Sequence, residues 1–513
     1  MVLCWRALRG FSAMALLSAA LICTGCGVKS SAITPTTPPC TVVTDPSVTP
    51  ILLTLTDDAT SNGLVSFYAN IAEVQITPRN GCASTLYQST STYEITHLAG
   101  TSRYLTMTGL GQSSYINIIV NLTNPFITYI GATGATVTEA FPSVTATAQI
   151  NFASLLTVDT TPLEITLDFN LEKSVVFDPT TGAVTLTPTF TATALPIAAT
   201  SPDLGTGLLE TVLGSVTKYT GSALSLTSDV TQTTIGCNLT GATTVVNDGS
   251  TAGFPQGSLV RVDMAAQRDS SIDCVRIEAV NSAIDAYAVA GTLNSYRGGI
   301  SPYQFTLAMQ EGTGAGVSPN FIGHGINVNF DSPAATFAVD WDGMDQTNLG
   351  FTPLFNDATF FPAQYVEASS SLPLTTTGND VGPVPGSLIT VAAMNAQRVT
   401  LRKQQEDGTP SSVVTNSNGV TTFILTLDPS TVFAQYTALP VEPTGFVPTI
   451  NVIVPASVTI NGSLTVPIAG APTGSLPYVD VRGLLFLNGA SYTLVAQRVT
   501  ATLPPVQPVS SSL

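Results

Sequence analysis

Few residues in this chain could carry chemistry. Two histidines, His97 and His324, occur in 513 residues. A Ser-His-Asp site needs one histidine beside a nucleophile and an orienting acid, but no G-x-S-x-G elbow is present. His97 in "YEITHLAG" falls at a strand end and His324 in "IGHGINV" in a polar turn, so both read as loop or surface residues. A histidine-based zinc site is excluded by the same scarcity, and no catalytic residue is expected. "VDWDGMDQTN" sets Asp340, Asp342 and Asp345 around Gly343, a spacing that suits a hard cation such as calcium. Met344 stands fifth in that run and Phe351 twelfth, where an EF-hand needs ligands, so a hairpin turn explains the same residues. A paired-carboxylate glycosidase is assembled across a fold and leaves no local signature. With two tryptophans in the chain, Trp341 among them, no aromatic cluster marks a sugar cleft.

Cysteines are the next reactive set, and their setting depends on the N-terminus. In "MVLCWRALRGFSAMALLSAALICTGC" Arg6 and Arg9 precede an apolar run from Phe11 to Ile22. Twelve helical residues rise about 18 Å, too short for a hydrocarbon core of about 30 Å. The pattern is that of an export signal. Its end, Cys23-Thr24-Gly25-Cys26, resembles a bacterial lipobox, although Cys23 stands where leucine is usual. That resemblance implies cleavage before Cys26 and a lipid on its thiol; Gly27 after it, where an aspartate would resemble a retention signal, points to the outer membrane. Export also favours disulfides. Cys40, Cys82, Cys237 and Cys274 allow three pairings, of which Cys40–Cys82 and Cys237–Cys274 each close a loop inside one candidate domain.

Charged residues make up 10% of the chain, and the formal net charge is −17. Loss of Arg6 and Arg9 with residues 1–25 takes this to −19. So few cations cannot neutralise a run of phosphates, so no nucleic acid is expected as a partner. No cofactor is expected either.

The elements that would position such residues are strands. "ILLTLT", "AEVQITP", "SYINIIVNLT", "LEITLDFNL" and "AVTLTPTFTATAL" alternate, are rich in β-branched residues and end at Gly, Pro, Asn or Asp. The fold class is therefore all-β. Residues 1–25 form the signal and 26–47 a Ser/Thr/Pro tether. Residues 48–198 form a β-sandwich-like domain. Its "ILLTLTDDATSNG" opening, with "GLGQSSYINIIVNL" and "LEITLDFNLEKSVVFDPTTGAVTLTPTF", resembles an uncharacterised domain of bacterial envelope lipoproteins that opens with a Leu-Thr-Asp-Ala-Pro-like turn. Asp58 and Thr60 depart from that turn. Beyond Gly207 the chain repeats itself. "VLGSVTKY" at 212 is echoed by "VAGTLNSY" at 289, and "AQRVT" begins at both Ala396 and Ala496. Three copies, at 207–285, 286–402 and 403–503, resemble a second uncharacterised family of small β-barrels that open "G-x-V" and close "V-x-V-x-G…A-x-R-V". A flexible tail, 504–513, follows. Arg276, Arg398 and Arg498 recur at one place in each copy and read as outward strand residues opposite acids such as Asp263, Glu367 or Asp480.

The expected protein is a non-catalytic, lipid-anchored protein of the cell envelope. It would be a modular rod that binds or scaffolds protein or polysaccharide, tied to the membrane through its lipid. The alternative is an envelope or extracellular glycan hydrolase with paired carboxylates at a module junction.

Overall fold

The computed structural model describes residues 47–503 apart from 58–63, 99–100, 131–135, 142, 144, 179–182, 198–206, 229–233, 247–252, 280–284, 298–302, 315–316, 318–320, 331–334, 342, 382–387, 430, 438–447 and 472–473. The signal, Cys26, Cys40, Asp58, Thr60 and Asp342 lie outside the described residues. Strands account for nearly all the regular structure, so the chain is all-β. Among the described residues, the α-helices are the short Leu171–Ser174 and Val432–Thr437.

The N-terminal part packs two sheets on one core. In the first, Val48–Asp57 lies parallel to Leu163–Phe169 and antiparallel to Arg103–Gly111, with Phe190–Pro196 on the outer edge. In the second, the long strands Leu64–Pro78 and Ser114–Ile130 form the centre. Alternation sends Ile51, Leu53, Leu55, Phe67, Ile118, Ile165 and Leu167 inward, where all are fully buried.

The first and third copies each close a five-stranded barrel of one topology, and the middle copy runs the same strand order within an eight-stranded sheet. Numbering strands within each copy, the order around the barrel is 1-2-3-5-4. In the first copy these strands are Leu208–Tyr219, Ala223–Thr227, Thr234–Val246, Leu259–Ala266 and Ile272–Ala279, with strands 3 and 5 parallel. In the third they are Gln404–Thr415, Thr421–Leu427, Thr449–Val454, Tyr478–Asn488 and Ser491–Thr502, again with strands 3 and 5 parallel. In the middle copy strand 5 is split. Tyr287–Arg297, Tyr303–Thr313 and Gly325–Phe330 lead to Leu388–Asn395, whose continuation Arg398–Leu401 returns to strand 4, Tyr365–Ser370. This is the strand order of an OB-type barrel, and closure in the first and third copies removes the free edges a short sheet would expose.

The "G-x-V" opening has a steric cause. Strand 1 pairs with strand 4 over its first part and continues against strand 2, and Gly214, Gly291 and Gly408 sit where the two ladders meet or overlap. A Cβ on any of them would come within 3.0 Å of a strand-2 carbonyl oxygen, that of Thr227, Ala308 or Thr426.

The barrels do not follow one another as a rod. Residues 42–513 form one compact unit. The first barrel meets the second through Arg261 and Glu367. The second meets the third through Gln364 Nε2, which donates to the Leu485 carbonyl at 3.1 Å, and through a shared core in which Leu484, Phe486 and Val495 pack with Leu293 and Val399. The third meets the first through Arg482 and Arg498, each 3.8 Å from Glu210. Three pairwise contacts close a ring. The N-terminal sheets pack on it as well: Tyr104 and Met107 lie against the first barrel's core, and Tyr68 and Phe126 join that of the second. The rod expected from the order of modules is replaced by this ring, because the third copy, packed on the second, also returns to the first through Glu210, Arg482 and Arg498.

Replacing Gly291 or Gly408 by Ala is expected to destabilise the protein by about 1–3 kcal/mol through overpacking. Gly241→Ala, whose Cβ would meet nothing within 4 Å, should stay within about 0.5 kcal/mol of the parent. Thermal denaturation of the three variants checks the comparison.

Candidate functional site

The outer faces of strands 1 and 4 from all three barrels converge on one cavity of about 130 Å³. Glu210 and Arg261 come from the first barrel, Thr292 and Glu367 from the second, and Glu406 and Arg482 from the third. The N-terminal sheets contribute Val65, His97 and Arg103. Of the chain's sixteen lysines and arginines, five line this space: Arg103, Arg261, Arg402, Lys403 and Arg482. A surface so poor in charge has concentrated its ionic groups indoors.

Most of them neutralise one another. Glu367, 5% exposed, lies between two guanidinium groups. Arg261 Nη2 donates to its Oε1, and Arg402 donates to its Oε2 from Nη2 at 2.8 Å and from Nε at 3.2 Å. Arg402 Nη1 reaches Asp340 Oδ2 at 2.5 Å, and Arg261 Nη1 lies 3.7 Å from Glu278 Oε1. Burial alone would push the Asp340 carboxyl up; Arg402, with Lys403 and Arg261 behind it, overrides this and holds it down at about 2. A second cluster joins the N-terminal part to the middle barrel. His97 Nδ1 meets Glu94 Oε2 at 2.5 Å, His97 Nε2 meets Glu311 Oε1 at 3.0 Å, and Arg103 Nη2 also pairs with Glu311. Burial works against the charge on His97, but its bonds to Glu311 and Glu94 win and raise its pKa. Burial likewise disfavours the Glu311 carboxylate, yet Arg103 and His97 keep it well below the usual range.

Glu406 is different. It is 3% exposed, and the single side chain bonded to it is the neutral Gln404, whose Nε2 donates to Oε1 at 2.7 Å. Gln404 is itself fixed, its Oε1 accepting from Tyr365 N at 2.9 Å and its Nε2 donating to the Ala363 carbonyl at 3.1 Å. Burial pushes Glu406 up to about 8, against the weaker pull of Gln404. Its Oε2 has no hydrogen-bond partner. The same is true of Gln310 Oε1, Glu210 Oε2 and Arg482 Nε, all on residues lining this cavity.

The residues singled out from sequence are distributed as follows. His97 is not a surface residue but part of the cavity wall, because the 3-10 turn Thr96–Leu98 tucks it under Glu311. His324 is buried instead of lying in an exposed turn, with its ring 4.7 Å from that of Phe126. Asp340 is engaged by Arg402, while Asp345 accepts from Thr347 N in its own turn at 2.8 Å. No group of three or more His, Cys, Asp or Glu placed to hold a metal ion occurs among the described residues. Cys237 and Cys274 form a disulfide across parallel strands 3 and 5 of the first barrel, with Cα atoms 5.1 Å apart. Cys82 is disulfide-bonded too; Cys40, its expected partner, lies outside the described residues. Of the repeated arginines, Arg276 does stand opposite Asp263. Arg398 stands opposite Ser369 and bonds Asp285, and Arg498 stands opposite Arg482, with Glu210 serving both.

Sequence reading missed Glu406, Gln310 and Glu210. One signal could have found the place. "RKQQED" at 402–407 is a dense charged run in a chain only 10% charged, and its first five residues all line the cavity.

No family model matches the chain, and no curated protein matches it. Among solved structures, drosophila Unr CSD456 aligns with 57% of this chain and 97% of its own at 10% identity; the TM-score, 0.12, is too low to bear on fold or function.

Two outcomes follow for the cavity. The folded chain keeps the Glu406 proton up to about pH 8, whereas an unfolded chain releases it near its ordinary value of 4.5. The native state therefore binds more protons across that window, and stability falls as pH rises through it. Glu406→Gln should remove that fall, gaining on the order of a few kcal/mol over wild type at pH 8 and little at pH 4; denaturant titrations at the two pH values measure it. Glu367→Gln should cost about 3–5 kcal/mol at neutral pH, since it leaves buried guanidinium groups short of a counter-charge.

Proposed function

We propose that this is a non-catalytic, lipid-anchored protein of the cell envelope whose ring of barrels is a rigid receptor body for an envelope polysaccharide. Cys26 carries the lipid and residues 26–47 space the body from the outer membrane. One observation carries the binding role: charged side chains from every part of the body are spent on locking a polar cavity open. Each guanidinium group at its wall has a carboxylate within 4.0 Å, so the charges hold shape, and neutral hydrogen-bonding groups are left for a guest. Rigidity of this kind lowers the ordering cost of binding.

A hydrolase acting on glycan is the second reading, and a specific observation favours it. Glu406 is kept neutral while Asp340, lining the same cavity, is kept ionised, the division of labour that glycoside hydrolysis uses. No reducing ends should appear when the purified chain is incubated with envelope polysaccharide. Release that Glu406→Gln abolishes would replace the binding role with the hydrolase.

The anchor has its own test. Mass spectrometry of the mature chain should show acyl chains on Cys26, and Cys26→Ser should move the protein from the membrane pellet to the soluble fraction. Unmodified mature chain in the medium would overturn the lipid anchor.

A further inference from the structure

We infer that the junction cavity binds one neutral sugar unit, a polyhydroxylated ring of no net charge, through Gln310 and Glu406. This deepens the polysaccharide-receptor reading and rests on it. Four polar atoms on the wall make no hydrogen bond; Glu210 Oε2 and Arg482 Nε face each other as an ion pair at 3.8 Å, which leaves Gln310 Oε1 of the second barrel and Glu406 Oε2 of the third with no partner of either kind. Gln310 and Glu406 are 4% and 3% exposed. Native proteins seldom leave such buried groups unsatisfied, because each loses its hydration with nothing in return. A guest that supplies hydrogen bonds here recovers that loss.

The set of open valences describes the guest. Gln310 Oε1 accepts, and the carboxyl of Glu406 does either while protonated. Hydroxyl groups, which donate and accept, answer both. An anionic guest would need a cation not already engaged; Arg103, Arg261, Arg402 and Arg482 each have a carboxylate, and Lys403, the fifth on the wall, is engaged as well and acts on Asp340. A cationic guest would need an unmatched carboxylate, and the candidate, Glu406, is held neutral. Orientation is fixed in advance: Gln310 Nε2 donates to the Val65 carbonyl at 3.1 Å and to Thr96 Oγ1 at 3.3 Å, which aims Oε1 away from both. Gln404 holds Glu406 in the same way. With room for roughly ten waters in about 130 Å³, the cavity matches a single ring with its hydroxyl shell.

The test uses the full chain purified in detergent and saturation-transfer NMR followed by calorimetric titration. The probes are methyl α-glucoside, methyl β-galactoside and N-acetylglucosamine, with glucuronate and glucosamine as anionic and cationic controls. At least one neutral probe should bind with a Kd on the order of 1 mM, and both charged controls at least tenfold more weakly. Gln310→Leu should weaken the neutral probe at least tenfold. Because that variant could fail to fold, Glu406→Gln supplies the second readout: wild type should lose affinity above pH 8 as Glu406 ionises, and the amide variant should hold it. Absence of binding by every neutral probe at 20-fold that concentration, tighter binding of a charged control, or a pH profile unchanged by Glu406→Gln would overturn the inference and leave the anchored scaffold standing. Cleavage of a bound oligosaccharide would overturn the non-catalytic role and leave the site standing.

Discussion

Glu367 and the two guanidinium groups that flank it hold the molecule together. A carboxylate taken out of water is tolerable only when it is paired and fully hydrogen-bonded, and this one finds Arg261 on the first barrel and Arg402 at the end of its own copy. Satisfying one buried charge thus fixes the first and second barrels against each other. Asp340 and Glu278 face the remaining donors, and Arg276, 3.4 Å from Glu278, brings the cluster to three charges of each sign.

That constraint explains why a chain so poor in charge has the composition it does. Exposed faces rely on Thr, Ser and Asn, as in Thr145–Thr157, where outward positions are Thr145, Thr147, Gln149 and Asn151. Lysine and arginine are concentrated at the junction, where desolvation makes each pairing selective: a wrong partner would leave a charge buried alone. The cost is a set of polar atoms that the network does not reach, and these lie together on the cavity wall. The cavity therefore lies at the place where the modules join, and no barrel encloses it by itself.

Much of the architecture was legible. Alternation of β-branched residues gave strands at Leu163–Phe169 and Tyr478–Asn488, and the echo between "VLGSVTKY" and "VAGTLNSY" marked strand 1 of two barrels, down to its glycine. Where Pro188 interrupts "AVTLTPTFTATAL", two strands stand in place of one, Ala183–Leu186 and Phe190–Pro196, since proline cannot donate to the ladder. Much less of the site was legible. Arg398 and Glu367 belong to one copy and were natural partners in sequence, yet Arg398 takes Asp285 and Glu367 takes Arg261 from another barrel.

Sequence alone determined the all-β class, the repeat and the strand-1 glycines of the first two copies, because these depend on period, φ/ψ and sterics within a few residues. It also brought Cys237 and Cys274 into view as partners, since they lie in one repeat. The ring, the pairing of Glu367, the neutral state of Glu406 and the cavity were decided by tertiary structure. Each depends on which surfaces meet, and the energy of a buried charge is set by neighbours hundreds of residues away in sequence and about 3 Å away in space.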